Sequence, residues 1–275
     1  MSDIMTRAVY GGVYVAVLLC GVLFYAQLSY LVFGVMAALG LIEFNKLMTA
    51  LDVGSSSKNY LSTGMIAYLI FALAGLHYIS FVWVATLPLL LLVPFVSSLF
   101  NESKNALITG VVGVAGYIYV LLPLMLVHFL YMANGEGKIL DFWPVLGMMI
   151  LTWTSDTFAY LTGKYFGKTK LFERISPKKT WEGVLGGLLF SLAASYVIFL
   201  FNEHRSLLFW MVLGLVVPVF GIIGDLFESL IKRSAGEKDS GDLIPGHGGI
   251  LDRIDAMLFT IPVTFSWIFI FEWIK

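Results

Sequence analysis

The chain has 275 residues, of which 59% are hydrophobic and 13% charged; its mean hydropathy is +0.89 and its formal net charge is −1. Because a soluble domain carries about 25% charged residues, this composition excludes a soluble protein with a large core and predicts an integral membrane protein. The single cysteine, Cys20, excludes an internal disulfide framework.

Apolar segments long enough to cross a bilayer recur along the chain, since a spanning helix needs about 20 mostly apolar residues. The first segment is expected to stay as a helix, because no small-x-small cleavage site follows it. The sequence therefore predicts an all-α fold, a polytopic membrane helix bundle of about nine transmembrane helices. In chain order the predicted spans lie near residues 8–26, 29–50, 59–77, 80–99, 105–132, 142–163, 181–201, 206–232 and 249–273.

Ionisable residues divide the chain into two parts. The first five spans carry few of them, whereas the later spans carry several. We expect residues 1–140 to form about five scaffold helices that include a candidate dimer region. Residues 141–275 are expected to form the catalytic helices, with two cytoplasmic loops.

Lysine and arginine placement predicts the orientation. With a cytoplasmic N-terminus, 14 of the 17 basic residues lie on or near the cytoplasmic side, and three lie outside: Lys138, Arg205 and Lys275. This places the charged loops 163–180 and 233–248 in the cytoplasm, and we expect a multi-pass protein of the inner (cytoplasmic) membrane. Alanine at Lys138 or Arg205 is expected to be near neutral, because both lie on the far side.

Acidic residues concentrate at the cytoplasmic ends of the later spans. Asp156 lies on span six, Glu182 opens span seven, and Asp252 and Asp255 share a face at the start of span nine. Ionisable groups within spans are costly and usually functional. One face of span eight carries four polar residues spaced i, i+3, i+4 and i+7, namely Asp225, Glu228, Ser229 and Lys232.

Carboxylates from two facing helices would form a site made only of oxygen atoms. Mg²⁺ prefers such carboxylates together with substrate phosphates. We expect Asp225 and Asp252 to hold the metal, with Asp255 and Glu228 in support.

A structural alternative assigns these acids to the helices themselves. Asp252 and Asp255 would stabilise the N-terminus of span nine through the helix dipole, and Asp225 would pair with Lys232 or Arg253. This alternative accounts for one acid on each helix better than for four.

The segment ISPKKTWEG (Ile175–Gly183) precedes span seven. Thr180 is placed to cap that helix, and Lys178 and Lys179 with nearby backbone amides would form a phosphate cradle beside Glu182. The alternative is a basic loop that touches anionic lipid head groups.

The segment PGHGG (Pro245–Gly249) leads into span nine, and its glycines allow a ligand to approach the backbone closely. His247 is either a phosphate or metal partner or a residue that orders the loop. Glu43, three positions before Lys46, is interpreted as one half of a local pair.

The stretch SLIKRSAGEKDSGDLIPGHGGILDRID (Ser229–Asp255) resembles the signature of the phosphatidate cytidylyltransferase family, also called CDP-diacylglycerol synthases. Its pattern reads S-x-x-K-R-x₄-K-D, then six residues, then x-H-G-G-x-x-D-R-x-D. A second stretch, SDTFAYLTGKYFGK…ISPKKTWEG (Ser155–Gly183), is also similar to the family. A match of this length is highly specific.

The resemblance implies that CTP and phosphatidic acid react to give CDP-diacylglycerol and pyrophosphate. It also implies a Mg²⁺-dependent enzyme in the lipid bilayer that forms a homodimer, and it associates Asp225 and Asp252 with the metal centre. A second metal or a monovalent cation stays open as a further cofactor, and no nucleic-acid partner is expected.

The expected roles of individual residues combine the spacing with this resemblance. The expected catalytic residues are Asp225, Asp252, Asp255, Lys232, Arg233 and Arg253. The expected substrate-binding residues are Lys178, Lys179, Thr180, Glu182, Lys238, Asp239, His247, Gly248, Gly249, Ser229 and Asp156.

Three other functions were weighed against this one. A CTP-dependent lipid kinase shares parts of the motif and differs in the group transferred. An ion-coupled transporter would use the acids as a cation pathway, but they sit near one membrane face and no broken helices recur in corresponding halves. A CDP-alcohol phosphatidyltransferase is disfavoured because its D-G-x₂-A-R-x₈-G-x₃-D-x₃-D pattern is absent.

Overall fold

The computed structural model describes residues 3–24, 26–53, 59–102, 105–131, 141–202, 204–243 and 248–274. Helices dominate, which confirms the all-α prediction. A 3₁₀ turn at Phe81–Thr86 precedes α4, and a π-helical segment at Tyr117–Leu121 joins α5 to α6. The helices are α1 (Asp3–Leu23), α2 (Ala26–Ala50), α3 (Tyr60–Gly75), α4 (Leu87–Ser98), α5 (Ala106–Gly116), α6 (Leu122–Leu130), α7 (Trp143–Phe166), α8 (Trp181–Phe201), α9 (Leu207–Ser234) and α10 (Leu251–Ile274).

Each predicted span coincides with a helix or a continuous helical run. Within the described residues, six of these are long and apolar enough to cross a membrane. The apolar part of α1 (Val9–Leu23) and α3 are shorter, and α7 is not among the six. The chain is therefore an all-α polytopic membrane protein, and the count of nine crossings stays a prediction.

A two-stranded hairpin interrupts the helices, and the sequence did not predict it. Strand β1 (Lys170–Phe172) pairs antiparallel with β2 (Ser176–Thr180), with Lys170 opposite Thr180. The amide of Trp181 donates to the carbonyl of Thr169 at 2.9 Å, so the pairing continues to the start of α8. The hairpin gives the basic loop 163–180 a fixed shape.

The chain divides into two compact units. The first comprises residues 1–128 and 231–254, and the second comprises 129–230 and 255–275. Helices α9 and α10 each contribute residues to both units. The functional division predicted near residue 140 rests on the sequence alone and stays a prediction.

The core of the first unit includes a buried histidine, His128. The ring of His128 stacks on Tyr30 with centroids 3.7 Å apart. Its Nε2 shares a 2.8 Å hydrogen bond with the hydroxyl of Tyr68. Aromatic packing and a satisfied polar atom therefore anchor the end of α6 to α2 and α3.

In the second unit, glycines allow α7 and α8 to pack closely. A Cβ atom at Gly187 would lie 2.9 Å from the carbonyl oxygen of Ser155. The rings of Phe158 and Phe190 stack with centroids 3.6 Å apart. This contact fixes the hairpin-bearing end of α8 against the end of α7 that carries Asp156.

Arg205 corrects an expectation from the sequence. Its side chain is buried in the second unit, 3.8 Å from Asp141 and ion-paired with Glu272. The guanidinium carbon also lies 4.9 Å from the centroid of the Phe209 ring. Because truncation of Arg205 would leave the buried Asp141 without its cation, the expectation that alanine at this position is near neutral is wrong.

Candidate active site

A lysine–aspartate pair forms the centre of the polar cluster in the second unit. Lys179 on β2 places its Nζ 2.6 Å from Oδ2 of Asp225 on α9. The hydroxyl of Ser229, one helical turn further on, donates to Oδ1 of Asp225 at 3.3 Å. Asp156 on α7 interacts electrostatically with both Lys179 and Asp225. The second unit therefore brings together four of the predicted site residues.

The Asp225 side chain retains 40% of its exposure, so a ligand can reach this pair. The sequence did not predict the lysine that accompanies Asp225, because the two residues lie 46 positions apart on different elements. An ammonium group held by a carboxylate marks a position that favours positive charge.

Glu228 and Asp255 differ in their surroundings. Glu228 is buried in the second unit. The Asp255 carboxylate accepts a hydrogen bond from the amide of the next residue in the chain, Ala256, at 2.7 Å. A Cβ at Gly224 would lie 2.5 Å from the carbonyl oxygen of Asp255, so glycine is required where α9 and α10 approach. Their support of a metal stays a prediction.

The start of α8 confirms the predicted cap. Thr180 accepts a hydrogen bond through Oγ1 from the amide of Gly183 at 3.2 Å, as an N-cap residue does. Glu182 accepts from the amides of Lys168 and Thr169 at 3.1 Å. Glu182 thus orders the preceding turn, and its role towards substrate stays a prediction.

These bonds also bear on the predicted phosphate cradle. The amides of Trp181 and Gly183 already have acceptors, so side chains are the better placed anion donors here. Lys178 is exposed, next to Lys179 on β2. Because successive strand residues face opposite sides, Lys178 and Lys179 are directed differently.

Asp252 forms the centre of the polar cluster in the first unit. Its Oδ1 accepts from Lys232 Nζ at 2.5 Å. Its Oδ2 accepts from the amides of Ser240 and Gly249 and from the Ser240 hydroxyl, each at 2.8 Å. Asp252 therefore joins Ser240 and Gly249 to the first turn of α10.

The glycine pair before α10 is required by this arrangement. Gly248 has a φ of +80°, and a Cβ there would lie 2.6 Å from Oδ2 of Asp252. A Cβ at Gly249 would collide with Ser240 Oγ and Glu43 Oε2. Both glycines therefore make room for side chains of the protein, and their contact with a substrate stays a prediction. His247 lies outside the described residues.

Glu43 is the residue that sequence reasoning missed. It is buried on α2, and it accepts hydrogen bonds from the Ser240 hydroxyl and from the amides of Ile250 and Leu251, each at 2.9 Å. Both carboxylate oxygens are used in these bonds, which replace the expected local pair with Lys46. The only signal in the sequence was an acid within an apolar span.

The other predicted residues of the first unit lie in the loop after α9 and at the start of α10. Arg233 donates through Nη1 to the carbonyl of Glu237 at 3.0 Å. The carbonyl of Arg253 accepts from the Tyr14 hydroxyl at 3.0 Å. Lys238 and Asp239 line an open cleft of about 170 Å³ next to Lys46 and Ser240.

Comparison with known proteins now identifies the family. A model described as the cytidylyltransferase family matches residues 5–271. The chain belongs to this family. It is 41% identical over 132 residues to a phosphatidate cytidylyltransferase of Haemophilus influenzae, covering 46% of each chain. It is 44% identical over 137 residues to one of Staphylococcus aureus (strain COL), covering 49% of this chain and 51% of that one.

The matched stretch spans about half the length of these curated relatives. The family predicted from the two motifs is confirmed. In this member of the cytidylyltransferase family, predicted site residues fall in both structural units: Lys232 and Asp252 in the first, and Lys179 and Asp225 in the second.

The predicted metal centre requires oxygen donors that lie close together. Among the residues that the structure describes, no three His, Cys, Asp or Glu side chains come together as a metal-binding group. Asp225 and Asp252 each hold a lysine ammonium instead. Carboxylate oxygens that attract a cation are the donor type that Mg²⁺ prefers, so the chemistry of these residues fits the ion. Their joint use stays a prediction.

Proposed function

We propose that the chain is a phosphatidate cytidylyltransferase, which converts CTP and phosphatidic acid to CDP-diacylglycerol and pyrophosphate. The observation that carries this proposal is the hydrogen-bond network by which Asp252 joins Lys232, Ser240 and Gly249, within a chain of the cytidylyltransferase family. The names of these relatives, of which the match covers about half, support the choice of lipid substrate.

The chemistry requires charge neutralisation more than base catalysis. A phosphate oxygen of phosphatidic acid attacks the α-phosphorus of CTP, and the bond from that phosphorus to pyrophosphate breaks. A phosphate monoester has a second pKa of about 6, so the lipid phosphate is largely dianionic near pH 7 and needs no strong base. The remaining obstacle is repulsion between two polyanions.

The lysines of the two clusters supply positive charge. We propose that Lys179 and Lys232 turn from their aspartates towards substrate phosphates during the reaction, and that Lys178, Arg233 and Arg253 add to the positive field. A carboxylate next to each lysine holds the ammonium in place before substrate arrives.

Mg²⁺ is the proposed cofactor, with Asp225 and Asp252 as its carboxylate donors. When bound, it would neutralise phosphate charge and polarise the P–O bonds of CTP. For the metal to bind, Lys179 and Lys232 would each have to leave its aspartate, which the flexible four-carbon stem of lysine permits. Glu228 and Asp255 are proposed to support them.

The proposed location follows from the substrates. A cytoplasmic active site in the inner membrane lets acyl chains stay in lipid while CTP arrives from water. The positive-inside rule supports a cytoplasmic N-terminus. We also propose a homodimer, on the family resemblance alone.

CTP labelled at the α- or at the γ-phosphate distinguishes this reaction from that of a CTP-dependent lipid kinase. Purified protein in mixed micelles would receive phosphatidic acid, diacylglycerol as an alcohol acceptor, Mg²⁺ and CTP labelled at either the α- or the γ-phosphate. A cytidylyltransferase moves the α label into lipid and releases the γ label as pyrophosphate. Transfer of the γ label to lipid would instead indicate a CTP-dependent lipid kinase, and no transfer by folded protein would refute both.

A further inference from the structure

We propose that Glu43 is a positioning residue that holds the start of α10 and so sets the orientation of Asp252 for the reaction. This inference rests on the proposed function for its catalytic part. Its structural part rests on contacts within the first unit alone.

Glu43 anchors a segment about 200 residues away in the chain. The amides of Ile250 and Leu251 donate to its two carboxylate oxygens. The first amides of a helix have no carbonyl partner within that helix, so an outside acceptor is required. A carboxylate at this position is further stabilised by the positive end of the helix dipole. Glu43 therefore fixes the place where α10 begins.

The Ser240 hydroxyl connects Glu43 to Asp252. Its oxygen lies 2.9 Å from Glu43 Oε2 and 2.8 Å from Asp252 Oδ2. A hydroxyl has one proton to donate, so the two carboxylates share a single donor. Any change in the acceptor at Glu43 therefore alters the hydrogen bonding of Asp252.

The surroundings leave this linkage little freedom. The Glu43 side chain is buried, and Gly249 packs against it so closely that a Cβ would collide with it and with Ser240. A buried carboxylate in an apolar helix is retained only where donors compensate for its lost hydration. All three of its donors come from Ser240, Ile250 and Leu251.

Glu43→Gln tests the linkage with little change in volume. The amide nitrogen of glutamine is a donor and would face the donors of Ser240 or Leu251. We expect hydrogen exchange at the Ile250 and Leu251 amides to become faster by about tenfold, as expected when a hydrogen bond to a charged group is lost. We expect kcat to fall by a similar factor, about tenfold or more, with KM for CTP nearly unchanged, because orientation acts on the transition state.

Glu102→Gln is the matched control, since Glu102 is an exposed acid of the same unit. It should leave both exchange and kcat at wild-type values. Ser240→Ala combined with Glu43→Gln should cost less than the sum of the single changes, because both act through one hydroxyl.

Wild-type exchange and kcat in Glu43→Gln would overturn the proposal. So would exchange that rises equally across the whole first unit together with a lower melting temperature, because that pattern indicates a purely structural role. If the wild-type protein transfers no label to lipid, the proposed function fails, and the exchange measurement still decides whether Glu43 anchors α10.

Discussion

The two aspartates expected to hold the metal, Asp225 and Asp252, occupy different environments, and this difference decides how their variants behave. Asp225 is partly exposed and has two side-chain partners, Lys179 and Ser229. The Asp252 side chain retains only 7% of its exposure and accepts from Lys232, two backbone amides and a hydroxyl. Asp225→Asn therefore removes charge from a partly exposed site, whereas Asp252→Asn removes charge from a hydrogen-bond network within the protein.

Asp225→Asn is expected to lower turnover at least about a hundredfold and to leave stability nearly unchanged, since exposed ion pairs contribute about 0–1 kcal/mol. Transfer of α label from CTP to lipid and the thermal melting of the purified protein measure the two effects. Glu173→Gln, an exposed acid in the hairpin turn, is the control. Full activity of Asp225→Asn would remove Asp225 from the site.

Asp252→Asn is expected to lose turnover and also stability. The amide group keeps one acceptor oxygen and puts a donor against the groups that now donate to Asp252, which leaves buried groups unsatisfied at about 1–3 kcal/mol each. The same two measurements apply. A variant with wild-type melting would show that the network around Asp252 adds nothing to the fold.

Arg205→Ala is expected to destabilise the protein by about 3–5 kcal/mol, because it leaves Asp141 and Glu272 without their buried cation. Lys164→Ala, which removes an exposed cation of the same unit, should change the free energy of unfolding by less than about 1 kcal/mol. Detergent-induced unfolding measures both, and equal midpoints would contradict the buried pairing.

The loss in free energy of unfolding caused by Arg205→Ala should depend on pH. Burial raises the pKa of Asp141 above its ordinary value of 3.8, whereas the Trp143 amide and Arg205 lower it. Removal of Arg205 therefore raises this pKa further. When the pKa of a carboxyl is raised in the folded state, the protein loses stability as pH rises above 3.8 and through the raised pKa. The stability that Arg205→Ala loses should therefore be smaller near pH 4 than near pH 8. A deficit that shrinks as pH rises would contradict this assignment.

At the scale of elements, close helix contacts at glycine place the polar clusters. Gly187 lets α8 approach α7 near Ser155, and Gly224 lets α9 approach α10 at Asp255. Asp156 directly follows Ser155 in the chain, and Asp225 directly follows Gly224. A substitution that shifts either contact would therefore displace a site residue that is not itself substituted.

Gly187→Ala tests this dependence. The added methyl would lie 2.9 Å from the Ser155 carbonyl, and overpacking of this kind costs about 1–3 kcal/mol. Gly12→Ala is the control, because a Cβ there meets nothing within 4 Å. Thermal melting should separate the two variants, and equal melting temperatures would show that α7 can yield at this point.

At the scale of the whole chain, the features that could be predicted are those that local sequence determines. Span length and apolarity predicted the helices. A threonine directly before an apolar span predicted the Thr180 cap. The Glu43 contacts and the Lys179–Asp225 pair were missed because each joins distant elements. Spacing along one helix places residues on a face, but it does not say which distant donor reaches that face.

The orientation of the chain in the membrane is the remaining prediction at this scale. In a Cys20→Ala background, single cysteines at Lys168 and Lys238 should react with an impermeant maleimide only from the cytoplasmic side, because the basic loops face that compartment. A cysteine at His204, an exposed residue between α8 and α9, should react only from the opposite side. Because one helix, α8, separates Lys168 from His204, labelling of both from one side would mean that α8 does not cross the bilayer.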